Sequence, residues 1–309
     1  MSMTEKHKQR ELYRSWKNTY YHLSSDGWKN GRLFNTVAQY AYGMTLIGLI
    51  HLRFGLTIYS FSLMPNHFHI LLSGTGMDCV AAFDYLKRKI NARLVMDGNP
   101  SLPLDYWFKL TPVDTPEQMK ANYIYIDRNA YELQYCVPGG YLWSSCYVFY
   151  SKISDLFMAC PAASFSKRKL EQMTGSRIII PDNWQFHPVY GLLPSSFIEQ
   201  SLFYRLFPNP KEYQTHLVKD YEAFAKIADS LDESFIFSKE EREDLVQKLL
   251  WKLFPGKRLK ELNGNEKGKL AVIMVNQYKI PVPDIAIGLN MSEKMINQFL
   301  RSKDYGRGN

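Results

Sequence analysis

Residues 56–73 have the sequence LTIYSFSLMPNHFHILLS, and this stretch decides the fold. The part up to Met64 and the part from His67 onward are both rich in Ile, Phe and Leu, residue types that pack well in β-strands. Between them, Pro65 and Asn66 are typical of a tight turn. The stretch therefore predicts two antiparallel strands joined by a short turn.

The sequence on either side of this hairpin predicts two helices. From Val37 to about Arg53, apolar residues recur at steps of three and four, which is typical of one face of an amphipathic helix, and Gly55 ends the pattern. The same spacing recurs between Phe83 and Leu94. A helix is therefore expected before the hairpin and another after it.

Further outward, the chain predicts one more strand on each side and a closing helix. Residues Tyr20–Leu23 and Tyr106–Leu110 have strand-like composition. A helix is expected over Pro116–Leu133, because Thr115 is a suitable N-cap and proline is favoured at the first helical position. The predicted order of elements is βαββαβα.

That order indicates an α+β protein with a four-stranded antiparallel sheet in the ferredoxin-like, or RRM-like, arrangement. We expect this domain over residues 1–150, followed by an irregular extension or linker over 151–218. Residues 219–309 are predicted to form an all-helical domain, with a helix-turn-helix at about 270–301.

The overall composition points to a cytoplasmic protein that binds a polyanion. Lys and Arg number 38 against 30 Asp and Glu, which gives a formal charge of +8, and hydrophobic residues make up 46% of the chain. This balance favours nucleic acid as a partner and excludes wholesale disorder. The four cysteines show no CxxC spacing, and no apolar run is long enough for a membrane span.

His67 and His69 are the first candidates for chemistry. Because side chains alternate along a strand, both imidazoles should point to the same side and form half of a metal site. The alternative is a pair of partly buried histidines bonded to their neighbours. Leu71 stands where a histidine triad would need its third member. Ordinary roles are predicted for the remaining histidines, which are His7, His22, His51, His187 and His216.

The helix expected after residue 115 offers two alternative pairs of residues. Tyr125 and Asn129 are four apart and share a helical face, and the same holds for Tyr123 and Asp127. The two faces are roughly opposite, because two residues turn a helix by about 200°. Only one tyrosine can therefore face the histidines, with Asn129 or Asp127 as the third metal ligand.

These motifs together resemble those of a known family, the HUH single-tyrosine transposases. The His motif is Met64–Leu72, the tyrosine helix is Tyr125–Asn129, and a closing Tyr-Leu-Trp-Ser-Ser segment follows at Tyr141–Ser145. The nearest resemblance is to the REP-associated tyrosine transposases and related Bacteroides-type transposases. The three motifs cover about residues 15–150.

The resemblance implies a chemistry and assigns residues to it. In such families a tyrosine attacks a DNA phosphodiester, leaving a 5′-phosphotyrosine and a free 3′-hydroxyl, with Mg²⁺ or Mn²⁺ as cofactor. Carried over, this implies Tyr125 as nucleophile and His67, His69 and Asn129 as metal ligands. The sequence departs from the family pattern at Ala130, where proline is usual, and at Cys146, where an aromatic residue is usual. Tyr123 with Asp127 therefore remains the alternative.

Two groups of polar residues are candidates for holding DNA. The first is basic: Lys87, Arg88, Lys89 and Arg93 lie on the predicted helix after the hairpin, and they are joined by Lys17, Lys29 and Arg32, which lie near the first predicted strand. The second would face outward from the last helix of the helix-turn-helix: Lys294, Asn297, Gln298 and Arg301. The alternatives are a solvated charged face and a three-helix bundle for protein contact.

The function expected from these features is that of a metal-dependent DNA endonuclease and strand transferase acting on single-stranded or hairpin DNA, as one chain or as a homodimer. Two rivals are kept: a non-catalytic nucleic-acid-binding regulator on the same scaffold, and a metal-dependent phosphodiesterase that uses water in place of tyrosine.

Overall fold

The structure is a computed structural model, and it describes residues 3–28, 31–133, 139–150, 158–219, 227–228, 231, 239–278 and 280–302. Backbone contacts divide the chain into two compact units, Met1–Tyr213 and Gln214–Asn309. The division lies close to residue 218, where the sequence predicts the end of an irregular extension. Most of that extension belongs to the first unit.

A four-stranded antiparallel sheet forms the centre of the first unit. Its strands are β1 (Thr19–Ser25), β2 (Thr57–Leu63), β3 (Phe68–Gly74) and β4 (Phe108–Pro112). Their order across the sheet is β2-β3-β1-β4, and every neighbouring pair is antiparallel. The predicted α+β class with a four-stranded antiparallel sheet is confirmed.

Two long helices connect the strands, as the sequence predicts. They are α2 (Val37–Phe54) and α3 (Gly76–Met96). The side chain of Thr36 caps the start of α2, and Gly55 ends it with a φ of 65°, a left-handed conformation that glycine adopts without steric cost.

One face of the sheet is an apolar core. Phe68, Phe83 and Phe108 are each about 99% buried, and the ring centroids of Phe83 and Phe108 are 4.2 Å apart. The ring of Phe68 in β3 lies 6.4 Å from that of Phe83 in α3. This face is therefore the one covered by α3, and strand alternation turns His69 to the other side.

The opposite face is covered by α4 (Pro116–Arg128). Thr115 and Gln118 form a reciprocal capping box at its start, so the predicted N-cap is confirmed. The α-helix ends earlier than predicted, and Asn129–Leu133 form a tighter 3₁₀ turn. Asn129 thus stands at the junction of the two.

The sequence did not predict the first helix, α1 (Met3–Arg14). Its composition is strongly polar and charged, and tertiary contacts hold it in place. The ring of Tyr13 packs 5.5 Å from that of Phe108, and Arg10 forms an ion pair with Asp84. Helices of this kind depend on packing more than on propensity.

The rest of the first unit is built from short elements. A small antiparallel sheet contains β5 (Cys160–Pro161), β6 (Gln185–His187) and β7 (Gly191–Leu192). The helices are α5 (Lys167–Thr174), α6 (Ser201–Leu206) and α7 (Pro210–Lys219), of which α7 contains the point of division. Residues 158–213 are thus ordered elements of this unit.

All regular secondary structure among the described residues of the second unit is helical. Its helices are α8 (Lys239–Leu253), α9 (Gly264–Tyr278), α10 (Val282–Leu289) and α11 (Glu293–Arg301). Ser292 caps the start of α11, as expected from the sequence. Within the described ranges, no helix has the length and apolarity required to cross a membrane.

Candidate metal and tyrosine site

The sheet face under α4 carries an unusual number of buried polar side chains. The strand register aligns Ser24, His69 and Ser62 across three strands, and all three are at least 97% buried. His22 in β1 lies on the same face and is 1% exposed. Burying polar groups costs free energy unless they are bonded, so a cluster of them favours a functional explanation over a purely structural one.

His67 and His69 lie side by side, as the sequence predicts. His67 is in the turn just before β3, His69 is within the strand, and their ring centroids are 4.9 Å apart. Burial, and then the proximity of His67, hold the pKa of His69 well below its ordinary value, although the adjacent Asn129 amide opposes this shift. His69 is therefore neutral at physiological pH, the form that can ligate a metal.

Asn129 brings an amide oxygen to the two imidazoles. Its Oδ1 atom lies 3.4 Å from Nε2 of His67, and its Nδ2 atom donates a hydrogen bond to the carbonyl oxygen of Tyr125 at 3.0 Å. That second bond fixes the orientation of the amide, so the oxygen is the atom turned toward the histidines.

The donor set combines one amide oxygen, which suits hard cations such as Mg²⁺, with two imidazole nitrogens, which suit softer first-row divalent ions. Two ligand atoms on an octahedral ion such as Mg²⁺, each at about 2.1 Å, lie about 3 Å apart when they are adjacent. The separation of 3.4 Å between His67 Nε2 and Asn129 Oδ1 is close to that value. Among the described residues, no group of three or more His, Cys, Asp and Glu side chains could hold a metal ion. Two imidazoles and one amide form a different set, whose donor atoms are of types that bind divalent cations.

Tyr125 is the tyrosine that faces the histidines. Its ring packs edge-on against those of His69, at 5.6 Å between centroids, and His22, at 5.9 Å. Asn122, Tyr125 and Asn129 follow one another at steps of three and four, so they form one stripe along α4 and its end. Tyr125 is only 5% exposed, so a phosphate can reach it only when the side chains covering it move.

The alternative tyrosine, Tyr123, points elsewhere. It is fully buried, and its ring makes edge-on contacts with those of Phe149, Phe203 and Phe207 at centroid distances of 6.0, 5.4 and 6.2 Å. Burial raises the pKa of this phenol well above its ordinary value. Tyr123 is thus a core residue of the packing between α4 and α6.

Asp127, the alternative ligand, is bonded away from the histidines. Its Oδ2 atom accepts a hydrogen bond from the hydroxyl of Tyr213 at 2.6 Å, and Ser60 lies 3.5 Å from Oδ1. Burial raises the pKa of Asp127 to about 7, and the hydrogen bond from Tyr213 counteracts that shift. The structure therefore groups His67 and His69 with Tyr125 and Asn129, and leaves Tyr123 and Asp127 outside the group.

The sequence did not assign any special role to His22, but a chain of hydrogen bonds links it to His69. Nδ2 of Asn122 donates to the carbonyl of Gln118 at 2.8 Å, so Oδ1 of Asn122 faces Nδ1 of His22 at 2.7 Å. Because that oxygen accepts only, Nδ1 of His22 carries the proton and Nε2 is left as an acceptor.

This acceptor determines the tautomer of His69. Nε2 of His22 lies 3.0 Å from Nδ1 of His69, so Nδ1 of His69 is the protonated nitrogen and Nε2 keeps its lone pair. Second-shell contacts of this kind orient metal-binding histidines and raise their basicity. The signal in the sequence is that His22 and Ser24 are polar residues that alternate with Tyr21 and Leu23 along β1.

Asn66 provides the matching contact for His67. Its Oδ1 atom lies 2.9 Å from Nδ1 of His67. With Nδ1 protonated, Nε2 of His67 presents a lone pair to the same space as Oδ1 of Asn129. Two acceptors that converge in this way are stabilised by a cation between them.

The closing segment predicted at Tyr141–Ser145 runs along the open edge of the sheet. Ser144 bridges to Ser62 of β2, and Oγ of Ser145 accepts a hydrogen bond from the backbone nitrogen of Phe61 at 2.9 Å. The hydroxyl of Tyr141 donates to the carbonyl of Leu63. These contacts fix the strand end from which the His motif begins.

The basic residues predicted to bind DNA on α3 lie on the other side of the sheet from the histidines. Nζ of Lys87 donates to the carbonyls of Leu104 and Tyr106, and Arg93 is paired with Asp97 at 2.7 Å. Arg88 and Lys89 lie over the ring of Tyr85. The structure does not bring these four residues to the site. Lys17 and Arg32 are exposed, and Lys29 lies outside the described residues.

Lys109 is a cation on the histidine face that the sequence did not single out. It pairs with Ser24 across β1 and β4, and Ser24 pairs with His69 across β1 and β3. Two strand spacings separate Lys109 from His69, which is about 10 Å.

The polar residues predicted on the last helix are at the surface of the second unit. Lys294, Asn297, Gln298 and Arg301 are all exposed on α11. Ile296 is fully buried, and a side chain at Gly268 of α9 would collide with the ring of Phe299. The apolar side of α11 therefore packs closely on α9.

Comparison of the chain with protein-family models, curated proteins and solved structures finds no match. A function for this protein must therefore be inferred from its own residues.

Proposed function

We propose that this protein is a metal-dependent DNA endonuclease and strand transferase of the HUH tyrosine transposase type, with Tyr125 as the nucleophile. The observation that supports it is the convergence of two imidazoles, an amide oxygen and one phenol ring on a single face of the sheet. A protein that only binds nucleic acid has no need for these four groups together.

The reaction exchanges one phosphodiester bond for another. The hydroxyl oxygen of Tyr125 bonds to the phosphorus of a DNA strand, and the bond from phosphorus to the 3′-oxygen breaks. The phenolic proton is lost, and the departing 3′-oxygen gains one to become a hydroxyl. The 5′-phosphotyrosine conserves the energy of the broken bond, so a second 3′-hydroxyl can reverse the step and join strands.

Each residue of the site has a part in this proposal. His67, His69 and Asn129 would hold Mg²⁺ or Mn²⁺, which supplies Lewis-acid polarisation of the phosphate. Burial keeps His69 neutral, and the contact of His22 with Nδ1 of His69 leaves Nε2 of His69 unprotonated. Tyr125 is 5% exposed, so DNA binding must displace the side chains over it before the attack.

The scaffold proposed for this reaction is ferredoxin-like, or RRM-like. The strand order β4-β1-β3-β2, with α2 and α3 as the connections, supports that assignment. The partner proposed is single-stranded or hairpin DNA, which the net charge of +8 and the lysine at position 109 on the histidine face favour.

For the second unit we propose a DNA-binding helix-turn-helix built from α10 and α11. Asn290 ends α10 in a left-handed conformation with a φ of 51°, which turns the chain sharply toward α11. The exposed residues Lys294, Asn297, Gln298 and Arg301 are of the types that contact base edges or phosphates.

The test is a denaturing gel of the full-length protein mixed with labelled single-stranded and hairpin DNA taken from the flanks of its own gene. We expect a protein–DNA adduct that requires Mn²⁺ or Mg²⁺, does not form when EDTA is present from the start, and is absent from Tyr125→Phe and His67→Ala. Tyr123→Phe is the matched control, because it removes the same hydroxyl from the same helix and should leave the adduct intact.

The other outcomes separate the rivals. An adduct lost in Tyr123→Phe and kept in Tyr125→Phe would reverse the assignment of the nucleophile. Cleavage without any adduct, surviving in both variants, would identify a phosphodiesterase that uses water. Binding without cleavage on all of the flanking sequences would identify a non-catalytic nucleic-acid-binding protein.

A further inference from the structure

A positively charged pocket lies on the helical side of the first unit, across the sheet from the histidines. It has a volume of about 470 Å³ and is formed by residues from three parts of the chain. The side chains that matter are Arg53 at the end of α2, Tyr85, Arg88 and Lys89 on α3, and Glu171 and Arg177 in and after α5. We call it the Tyr85 pocket.

The charges in the Tyr85 pocket are unbalanced. Four cations line it, and among the described residues that form its wall Glu171 is the only carboxylate. None of the four cations forms an ion pair with a carboxylate of the described residues. Cations gathered without counter-charges repel one another, and an anion placed between them removes that cost.

Three of the cations converge on one aromatic ring. Cζ of Arg53, Cζ of Arg88 and Nζ of Lys89 lie 5.4, 5.8 and 5.7 Å from the ring centroid of Tyr85. The ring attracts each of them, and it keeps their stems in fixed positions. Burial, followed by the charges of Arg88 and Arg53, lowers the pKa of Lys89, which agrees with this crowding.

The pocket also contains a buried hydroxyl in need of an acceptor. Tyr85 is 4% exposed, and its hydroxyl makes no hydrogen bond of ordinary geometry with a described residue. Burial raises the pKa of Tyr85, and polar contact with the Ser176 side chain, followed by the charges of Arg53 and Arg88, only partly offsets that rise. An anionic oxygen would satisfy such a hydroxyl better than a neutral side chain does.

Neighbouring cations on the same helix differ in a useful way. Lys87 donates to two backbone carbonyls, and Arg93 is ion-paired with Asp97. Lys87 and Arg93 therefore bind groups of the protein itself, whereas the guanidinium groups of Arg53, Arg88 and Arg177 form no ion pair with a described carboxylate and can bind a ligand. Guanidinium matches phosphate oxygens in pairs, which makes phosphate the anion best suited to this pocket.

We propose that the Tyr85 pocket binds backbone phosphates of a DNA strand, at a place remote from Tyr125. Of the proposed function, this inference uses only that DNA is the partner. It gives a role to the segment around α5, which brings Arg177 to the pocket and accepts a hydrogen bond from Lys89 at the Gly175 carbonyl. The DNA would thus be held on the helical side as well as at the histidine face.

The test measures DNA binding by fluorescence anisotropy over a range of salt concentrations, with single-stranded and hairpin oligonucleotides. The variants are Arg53→Gln and Arg88→Gln, and the matched controls are Lys87→Gln and Arg93→Gln, which remove the same charge from the same layer. Each pocket variant should weaken binding about fivefold at 0.1 M salt and reduce the slope of log K against log salt by about 0.7 to 0.9. Arg88→Lys, which keeps the charge, should lose less DNA-binding affinity than Arg88→Gln. Circular dichroism verifies that each variant is folded.

The outcomes separate this inference from the proposed function. Equal losses in pocket and control variants would overturn the inference while leaving the tyrosine reaction intact. Selective loss in the pocket variants would support it even if no tyrosine adduct forms. The last arm adds inorganic phosphate: if phosphate raises the melting temperature of the wild type and not of Arg88→Gln, while DNA binding is the same in both, the pocket takes a free anion and the DNA assignment is wrong.

Discussion

The two faces of the four-stranded sheet are built from opposite kinds of side chain. The face under α3 buries Phe68 and Phe108 against Phe83, with no polar group between the rings. The face under α4 buries His69 and Ser62 just as completely. Apolar burial stabilises a fold, whereas a buried polar layer contributes little net stability. The comparison indicates that one face maintains the fold, and that the other holds the polar groups on which the proposed function rests.

The largest expected effect tests this division directly. Phe83→Ala should lower the free energy of unfolding by about 3–5 kcal/mol, because it removes a ring that stacks on Phe108 and leaves a cavity. Ser62→Ala on the other face should cost less than about 1 kcal/mol, since its hydroxyl makes only a weak contact with the sulfur of Met64. Urea denaturation of both variants measures the difference. Equal losses would mean that the polar face is as important to stability as the apolar one.

The second test concerns metal affinity at the polar face. His22→Leu removes the acceptor for Nδ1 of His69 and should weaken Mn²⁺ binding about 10- to 100-fold. His22→Gln should restore most of the affinity, because its amide oxygen can accept from His69 while its NH₂ donates to Asn122. Isothermal titration calorimetry with Mn²⁺ measures both, and needs no DNA.

A histidine elsewhere in the same unit supplies the control. His51 is on α2, where Nδ1 bonds to the carbonyl oxygen of Leu56, so His51→Leu makes the same chemical change away from the site. It should leave Mn²⁺ affinity unchanged. If His22→Gln bound Mn²⁺ as weakly as His22→Leu does, the role assigned to the hydrogen bond would be wrong. The shape of the imidazole ring would then determine the affinity.

The smallest expected effect concerns the stability contributed by the side of α4 that faces away from the histidines. The hydroxyl of Tyr123 is buried and has no hydrogen-bond partner among the described residues. Tyr123→Phe should therefore raise the free energy of unfolding by about 1 kcal/mol, because it removes an unsatisfied polar group from an aromatic core. Thermal or urea unfolding measures this, with Phe203→Leu as a variant of the same cluster that should be destabilised. A loss of stability in Tyr123→Phe would show that its hydroxyl is bonded after all.

Much of the first unit was predictable because its signals are local. Strand composition around Pro65 and Asn66 predicted the hairpin, and Thr115 with Pro116 predicted the start of α4. Alternation along β3 placed His67 and His69 together. α1 was missed because its stability comes from contacts with α3 and β4, which its charged sequence does not reveal.

The candidate site was predictable only in part. Helical spacing reduced the candidates for nucleophile and third ligand to two pairs, Tyr123 with Asp127 and Tyr125 with Asn129. It could not decide which pair faces the histidines. The partner of His69 was missed because His22 is 47 positions away in the chain, and its own partner Asn122 is another 100 positions from it. No spacing rule connects residues that meet only through sheet order.

The sequence by itself determined the strands β1 to β4, the helices α2, α3 and α4, the faces on which their side chains lie and the net charge, because periodicity and capping act within a few residues. The tertiary structure alone decided which tyrosine meets the histidines, which nitrogen of His69 keeps its lone pair, and which cations of α3 are left for a ligand. Those outcomes depend on how α4 and α3 rest on opposite faces of the sheet. That packing is set by contacts between residues far apart in the chain, and so it is not encoded in any one segment.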